Sequence, residues 1–318
     1  MIESHVRILI VGAGAIGGYF GARLLAAGRD VTFLVRARRA DQLRRDGLVV
    51  TSPLGDLHLP PPAVTTAETL KDFYDLVIVS SKSYDLEGAI VDFSPAMGPE
   101  SHVLPLLNGL RHLDVLDAKF GAQRVLGGLA RISTTLDAEG GIHQLGTFNA
   151  LAFGPRSRSG LDRIDAIDAA LKVPGFEAHL STDIVHEMWE KWVFIAAAAA
   201  STSLMRASVG DIVAADARDI PIGLLEECGA IAAANDFAPR EAAVKAGLGV
   251  LTAPGSPFTA SMLRDIEQGS RIESDHIVGD LLRRAGNTKA PLLMTAYAHL
   301  RAYEARRKRE AASGDIDR

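Results

Sequence analysis

Near the N-terminal end, Gly12-Ala13-Gly14-Ala15-Ile16-Gly17 follows a continuous apolar run (residues 6–11) directly and opens a helical stretch (15–27). The three glycines divide the work of an anion cradle. Gly12 permits a tight turn out of a strand, Gly14 lets backbone approach a pyrophosphate, and Gly17 lets helix and strand pack closely. The helix start adds unpaired N–H groups and a partial positive charge. A second apolar run, 30–35, arrives on the schedule of a β-α-β unit and ends at Arg36. An acidic residue there would accept from a ribose 2′-hydroxyl, whereas a guanidinium suits a 2′-phosphate through charge-assisted, often bidentate bonds. The unit is therefore expected to bind NADPH in preference to NADH. The alternative for Arg36, with Arg38 and Arg39 close behind, is a solvated basic loop.

Other candidates for chemistry are sparse. Nine histidines are scattered without an HExxH motif or a cysteine partner at metal-ligand spacing, so no metal site is expected. His186, Glu187 and Glu190 fall on one helical face and read as solvated. The one cysteine, Cys228, reads as a small buried apolar residue. A single cysteine allows no intrachain disulfide, which fits a reducing cytoplasm.

These residues need a scaffold, and the patterning supplies an α/β one. Continuous apolar runs at 6–11, 30–35, 76–80 and 103–107 are interleaved with helical stretches, as in a parallel sheet covered on both faces. After Asn108, strand-like pieces at 125–136, 142–145 and 150–153 are joined by turns such as Glu139-Gly140-Gly141. They are expected to extend the same sheet in antiparallel fashion. From Asp183 onward strand signals nearly vanish. Helical patterns run over 183–207, 221–235, 274–284 and 291–309, punctuated by Pro239, Pro254, Pro257 and Pro291. The expected organisation is a Rossmann dinucleotide-binding domain over 1–180 and an all-α substrate and dimerisation domain over 181–318.

A chain of 318 residues, 47% apolar, can bury cores of this size. Its net charge of −5 argues against a nucleic-acid partner. The longest apolar run, 192–200, is far short of the roughly 18 residues that span a bilayer. Met1-Ile2-Glu3-Ser4-His5 carries no positive segment ahead of an apolar stretch. A soluble cytoplasmic protein without a membrane partner is expected. Arg306-Arg307-Lys308-Arg309 ends the last helical pattern, where cations suit the dipole.

The glycine motif continues as Gly18-Tyr19-Phe20-Gly21-Ala22-Arg23-Leu24, and further marks follow in order. They are Lys82-Ser83-Tyr84-Asp85, Leu107-Asn108-Gly109, Glu190-Lys191-Trp192, Ser261-Met262-Leu263-Arg264-Asp265-Ile266 and Glu273-Ser274-Asp275. On these marks the chain resembles the ketopantoate reductase (2-dehydropantoate 2-reductase) family almost end to end. The resemblance implies NADPH-dependent reduction of a 2-oxo acid to a 2-hydroxy acid, by default ketopantoate to pantoate in pantothenate biosynthesis; a homodimer is expected from the ample apolar surface of the helical domain. It makes Lys191 the acid that protonates the carbonyl oxygen and Glu273 the group that holds the substrate or orients the lysine. It makes Ser261 a substrate contact, places Asn108 at both nicotinamide and substrate, and sets Lys82 near the adenosine end of the cofactor. Four substrate-binding asparagines of the family are matched by Ile195, Ala199, Val209 and Phe258, which points to a more apolar oxo acid as the alternative.

The chemistry is coherent on its own terms. Hydride addition places negative charge on the carbonyl oxygen, so a positioned donor is needed there. Lys191 is the one charge entering a very apolar stretch, and burial lowers a lysine pKa towards working pH. The plain reading is a lysine snorkelling at a helix edge. On one unbroken helix Ser261 and Glu273 would stand roughly 18 Å apart. They converge on a small substrate only if the helix breaks, and Gly269 offers the C-cap. Otherwise they are an N-cap serine and a first-turn glutamate. Arg206, about 60° round the helix from Lys191 if that helix continues, is a second candidate anchor for a carboxylate. Its alternative is a C-terminal-turn arginine answering the dipole. A non-catalytic NADPH-binding sensor is the rival from another class, and the retained Lys191 and Glu273 speak against it.

Overall fold

The computed structural model describes residues 6–157 and 163–313. The segment 1–5, on which the reading of the N-terminus rests, lies outside the described residues. The chain forms two compact units, one from residues up to 107 and from 112 to 185, the other from 108–111 and from 186 onward.

In chain order the first unit contains β1 (Ile8–Val11), α1 (Ala15–Ala26), β2 (Val31–Leu34), α2 (Ala37–Asp46), β3 (Leu48–Thr51), β4 (Leu57–Leu59) and β5 (Ala63–Thr65). Then come β6 (Tyr74–Val79), α3 (Leu86–Phe93), β7 (Met97–Pro105), α4 (Arg111–Phe120), β8 (Gly127–Leu136), β9 (Ile142–Gly154), α5 (Ile164–Leu171) and β10 (Glu177–Leu180). Five strands make a parallel sheet in the order β5-β2-β1-β6-β7. β1 is central, with Ile8 opposite Val31 on one side and Leu76 on the other. All four of its residues are buried, as expected for a strand covered on both faces. Helix α1 crosses this sheet at close range because glycines face it. A Cβ on Gly21 would lie 2.4 Å from the Phe33 ring, and one on Gly17 would lie 2.3 Å from the Gly12 carbonyl.

The sequence pattern places the strands after Asn108 in this same sheet. The antiparallel pairing of β8 with β9 is present, but it belongs to a second sheet in the order β10-β9-β3-β4. Among the described residues, a lone parallel bridge between Val103 and Val125 leads from one sheet to the other. Gln144 on β9 binds the second sheet to α1, its Oε1 accepting from Tyr19 at 2.9 Å and from Ser52 at 2.7 Å.

The second unit is helical: α6 (Ile184–Met205), α7 (Val209–Ala214), α8 (Asp219–Ala233), α9 (Glu241–Leu251), α10 (Ser261–Glu267), α11 (Asp280–Arg283) and α12 (Pro291–Ala312). Residues 196–203 of α6 are all buried. Ser201 and Thr202 reach back to the carbonyls of Ala197 and Ala198, so these hydroxyls enter the core without losing their bonds. Pro291 opens α12, and Glu227 of α8 accepts the next two backbone N–H groups at 3.1 and 2.8 Å. Ahead of α11, residues Asp275–Gly279 form a π-helical turn where the sequence predicts ordinary helix. Such turns concentrate at functional sites.

Candidate active site

In the first unit, β1 delivers Gly12 at φ +95°, a conformation that glycine adopts without strain. Its N–H donates to the Leu34 carbonyl at 2.9 Å. Ser80, at the end of β6, donates its hydroxyl to the carbonyls of Val11 and Gly12, each at 3.2 Å. A Cβ on Gly14 would meet nothing within 4 Å, while one on Gly17 would strike Ser80 Oγ at 2.2 Å. The turn is thus packed against the sheet at Gly17 and open at Gly14. A pyrophosphate needs that combination at a helix start, so the residues present fit a dinucleotide.

Arg36 sits where β2 passes into α2, with its side chain 83% exposed and 3.5 Å from Asp85. Asp85 closes the short helical turn that follows Lys82, so Arg36 and the Lys82 loop are gathered at the same strand ends. Arg38 is exposed as well, whereas Arg39 turns inward and donates from Nε to the Ala13 carbonyl at 3.1 Å. Ser80 and Arg39 brace the turn without any signal in local spacing, because both act across the sheet.

In the second unit, Lys191 is part-buried on α6 between two anchored residues. Glu190 is held by Arg240, and the Trp192 indole donates to the Ile277 carbonyl at 2.8 Å. That second bond ties α6, one residue past Lys191, to the π-helical turn that begins just after Glu273. Asn108 and Gly109 lie on the other side of this turn. His276 is hydrogen-bonded to the Asn108 backbone, and a Cβ on Gly109 would stand 3.1 Å from the His276 carbonyl and 3.3 Å from its ring. Burial holds the His276 pKa below the ordinary histidine range, against the pull of Glu273, the Asn108 bond and Asp280. Asp275 is fixed by Arg111 at 3.1 Å, Arg283 at 3.0 Å and the Tyr297 hydroxyl at 2.6 Å. The Asn108 backbone and Trp192, the residue after Lys191, therefore both bond to the distorted helical turn that follows Glu273.

Ser261 is the first residue of α10 and is exposed. The preceding Ala260 N–H donates to Thr202 Oγ1 at 3.3 Å, which ties this helix start to α6. The predicted break occurs: α10 ends at Glu267, Gly269 takes φ +68°, and the Ser270 N–H bonds back to the Asp265 carbonyl at 2.8 Å. Arg206 requires a correction. The helix stops at Met205, and Arg206 follows it at φ +52° and exposed. Along continuous helix it stands about 22 Å from Lys191, too far to share a small substrate.

His186 bonds the Ala238 carbonyl at 2.9 Å, and no cluster of metal ligands occurs among the described residues. Cys228 is fully buried, which pushes its thiol pKa far up. No helix among the described residues is long and apolar enough to cross a membrane.

Two family models cover the chain: ketopantoate reductase PanE/ApbA over residues 8–158 and its C-terminal counterpart over 183–304. The chain belongs to the ketopantoate reductase PanE/ApbA family. A similar relative is an uncharacterized oxidoreductase, YkpB, of Bacillus subtilis strain 168, 37% identical over 94% of this chain and 99% of the relative. A 2-dehydropantoate 2-reductase of Pyrococcus horikoshii is 26% identical over 94% of this chain and 98% of its own. Among solved structures, a 2-dehydropantoate 2-reductase of Geobacter metallireducens GS-15 matches with a TM-score of 0.85 at 28% identity, covering 93% of this chain and 99% of that one. As a family member the chain is an oxidoreductase acting on CH–OH groups, with a Rossmann-like domain, a helical domain and a nucleotide cofactor.

The four positions where this family member departs from the asparagine pattern fall into two pairs. Ala199 and Val209 are sealed in the core, at 3% and 0% exposure. Ile195 and Phe258 are part-exposed. The Phe258 ring lies 6.2 Å from that of Phe194, which also lines an apolar cleft between α6, α8 and α9.

Proposed function

We propose that this protein reduces a 2-oxo acid to a 2-hydroxy acid with NADPH, and that ketopantoate, on the route to pantothenate, is the first substrate to assay. The first unit binds the cofactor and the second binds the substrate. The observation that carries the reading is Lys191. It is the one cation entering the buried tract of α6, fastened through Trp192 to the turn that follows Glu273. When bound, the nicotinamide supplies the hydride that reaches the substrate C2. Lys191 gives its proton to the carbonyl oxygen as charge develops there. Glu273 holds the substrate or orients the lysine, Ser261 binds the substrate, and Asn108 serves substrate and nicotinamide together. Arg36 and Lys82 hold the adenosine side, with Arg36 on the 2′-phosphate. A cytoplasmic homodimer built on the helical unit belongs to the same reading.

A second reading, a bulkier and more apolar oxo acid, is favoured by Phe258 against Phe194 beside the part-exposed Ile195. A site that bonds a hydroxyl rejects analogues lacking it by about 10⁴-fold, and these side chains offer no such bond. Steady-state assays of 2-oxo acids with NADPH decide between the two. Ketopantoate at the head of the panel supports the first reading, and aromatic or branched oxo acids ahead of it support the second. Absence of turnover with every member, at normal NADPH affinity, would overturn both.

A further inference from the structure

The guanidinium of Arg39 joins two backbone segments of the first unit and one side chain of its own helix. Nε donates to the Ala13 carbonyl at 3.1 Å, and Nη1 donates to the Gly140 carbonyl at 3.1 Å and to Gln42 Oε1 at 2.8 Å. Gln42 in turn bonds the Glu139 carbonyl. The hairpin turn that receives these bonds is itself closed. Gly141 N–H donates to Asp137 Oδ1 at 2.7 Å, and His143 pairs with Asp137 Oδ2 at 2.6 Å. A Cβ on Gly140 would stand 2.1 Å from Arg39 Nη1 and 2.4 Å from Gln42 Nε2, so a side chain there would displace both groups. Arg39 is half-buried between an exposed Arg38 and the buried Ala40.

We propose that Arg39 is a positioning residue for the phosphate cradle, setting the Ala13–Gly14 peptide plane from the tip of the β8–β9 hairpin. In a trans peptide the C=O and the next N–H point to opposite sides. Drawing the Ala13 oxygen towards Arg39 therefore turns the Gly14 N–H away from it, and the space at Gly14 is open to a ligand. The hairpin tip fixes the guanidinium in turn, so residues 137–141 act as a strut for a turn far away in sequence. Arg36, exposed at the strand end, is left to recognise the 2′-phosphate. The inference rests on the reading of residues 12–17 as a dinucleotide cradle, and its test separates the two.

Arg39→Ala, Arg39→Lys and Gly140→Ala are compared with the wild type by NADPH and NADH titration, and by amide hydrogen exchange without nucleotide. Arg39→Ala is expected to raise both dissociation constants about tenfold, the equivalent of one lost hydrogen bond of about 1.4 kcal/mol. The NADPH-to-NADH ratio stays within about twofold, as does kcat at saturating cofactor. Gly140→Ala keeps the charge but displaces the guanidinium, and is expected to do the same. Arg39→Lys does not rescue, because an ammonium lacks the fork that reaches two carbonyls. Exchange in 12–17 and 137–141 rises together in all three variants. Weakening confined to NADPH would make Arg39 a 2′-phosphate ligand and overturn the proposal. Unchanged exchange in 12–17 would overturn it too. Exchange is read without nucleotide, so it judges Arg39 even if the wild type binds neither dinucleotide, an outcome that would remove the cofactor reading instead.

Discussion

Arg240 grips Glu190 with three hydrogen bonds: its backbone N–H reaches Oε1 at 2.9 Å, Nε reaches Oε1 at 2.7 Å, and Nη2 reaches Oε2 at 2.6 Å. Glu190 is the residue before Lys191, so this clamp sets the rotation of α6 where the proposed proton donor leaves it. Burial by itself pushes the Glu190 carboxyl up, and the Arg240 bonds outweigh that, holding it below the ordinary value of 4.5. A carboxyl with a depressed folded-state pKa stabilises the fold above its unfolded pKa, and the contribution is lost as pH falls through the folded value. Glu190→Gln should be less stable than the wild type at pH 7, by about 1–2 kcal/mol. The gap should narrow on acidification below pH 4.5. Urea unfolding of both proteins between about pH 7 and pH 3 checks this. A gap that persists at the acid end would place the stabilisation elsewhere.

Replacing the proton donor should separate chemistry from binding. Lys191→Ala is expected to lower kcat by about 10²- to 10⁴-fold, the range of a lost general acid. The NADPH dissociation constant should stay near that of the wild type, since the glycine turn is untouched. Stopped-flow turnover and fluorescence titration on one preparation read both quantities. Unchanged turnover would remove Lys191 from the mechanism.

Arg36→Ala should weaken NADPH about 10- to 100-fold, as loss of one or two charge-assisted bonds predicts, and leave NADH where it was. Because the side chain is 83% exposed, the difference should shrink as salt is added. Equal weakening of the two nucleotides would mean that Arg36 does not contact the 2′-phosphate.

The parts of the fold that local patterning reaches are legible in the sequence. Residues 8–11, 12–17 and 15–26 are contiguous, and an apolar strand, a glycine turn and a helix start each leave their mark within a few residues. The break at Gly269 was legible for the same reason. The second sheet was not, because β3 and β4 have only four and three residues and gain meaning through partners such as Ile142, paired with Val50. Helix α9 leaves no such mark, because Gly247 and Gly249 weaken its propensity. Arg206 was misplaced by extending a helix past its last residue. The bracing roles of Ser80, Arg39 and His276 arise from contacts across the fold, which composition and period do not encode.

Gly17 tests how tightly the cradle is built. A Cβ there would lie 2.2 Å from Ser80 Oγ and 2.3 Å from the Gly12 carbonyl, the second being backbone that cannot rotate away. Gly17→Ala should cost about 1–3 kcal/mol, as overpacking does, and should weaken NADPH and NADH together. Gly14→Ala is the contrast, since its Cβ would meet nothing within 4 Å. That variant should fold normally and fail only when a nucleotide is offered. Thermal unfolding with and without nucleotide distinguishes the two, and equal loss of stability in both would mean that Gly14 faces protein after all.

Phe258 decides how far the substrate wall has moved. Its carbonyl accepts from the Val209 N–H at 3.0 Å and its own N–H meets Ser256 Oγ at 3.3 Å, so the backbone is held whatever the side chain. Phe258→Asn should therefore fold, losing chiefly the aromatic face that stands 6.2 Å from Phe194. An apolar pocket discriminates by about 1–3 kcal/mol per lost contact, so kcat/KM for aromatic or branched oxo acids should fall about 10- to 100-fold. Ketopantoate, whose hydroxyl gains a bonding partner in asparagine, should rise relative to them. The measurement is the ratio of the two kcat/KM values in wild type and variant at fixed NADPH. A ratio that does not move would place Phe258 outside the substrate wall and return the weight to Ile195, the other part-exposed position on the face of α6 that carries Lys191.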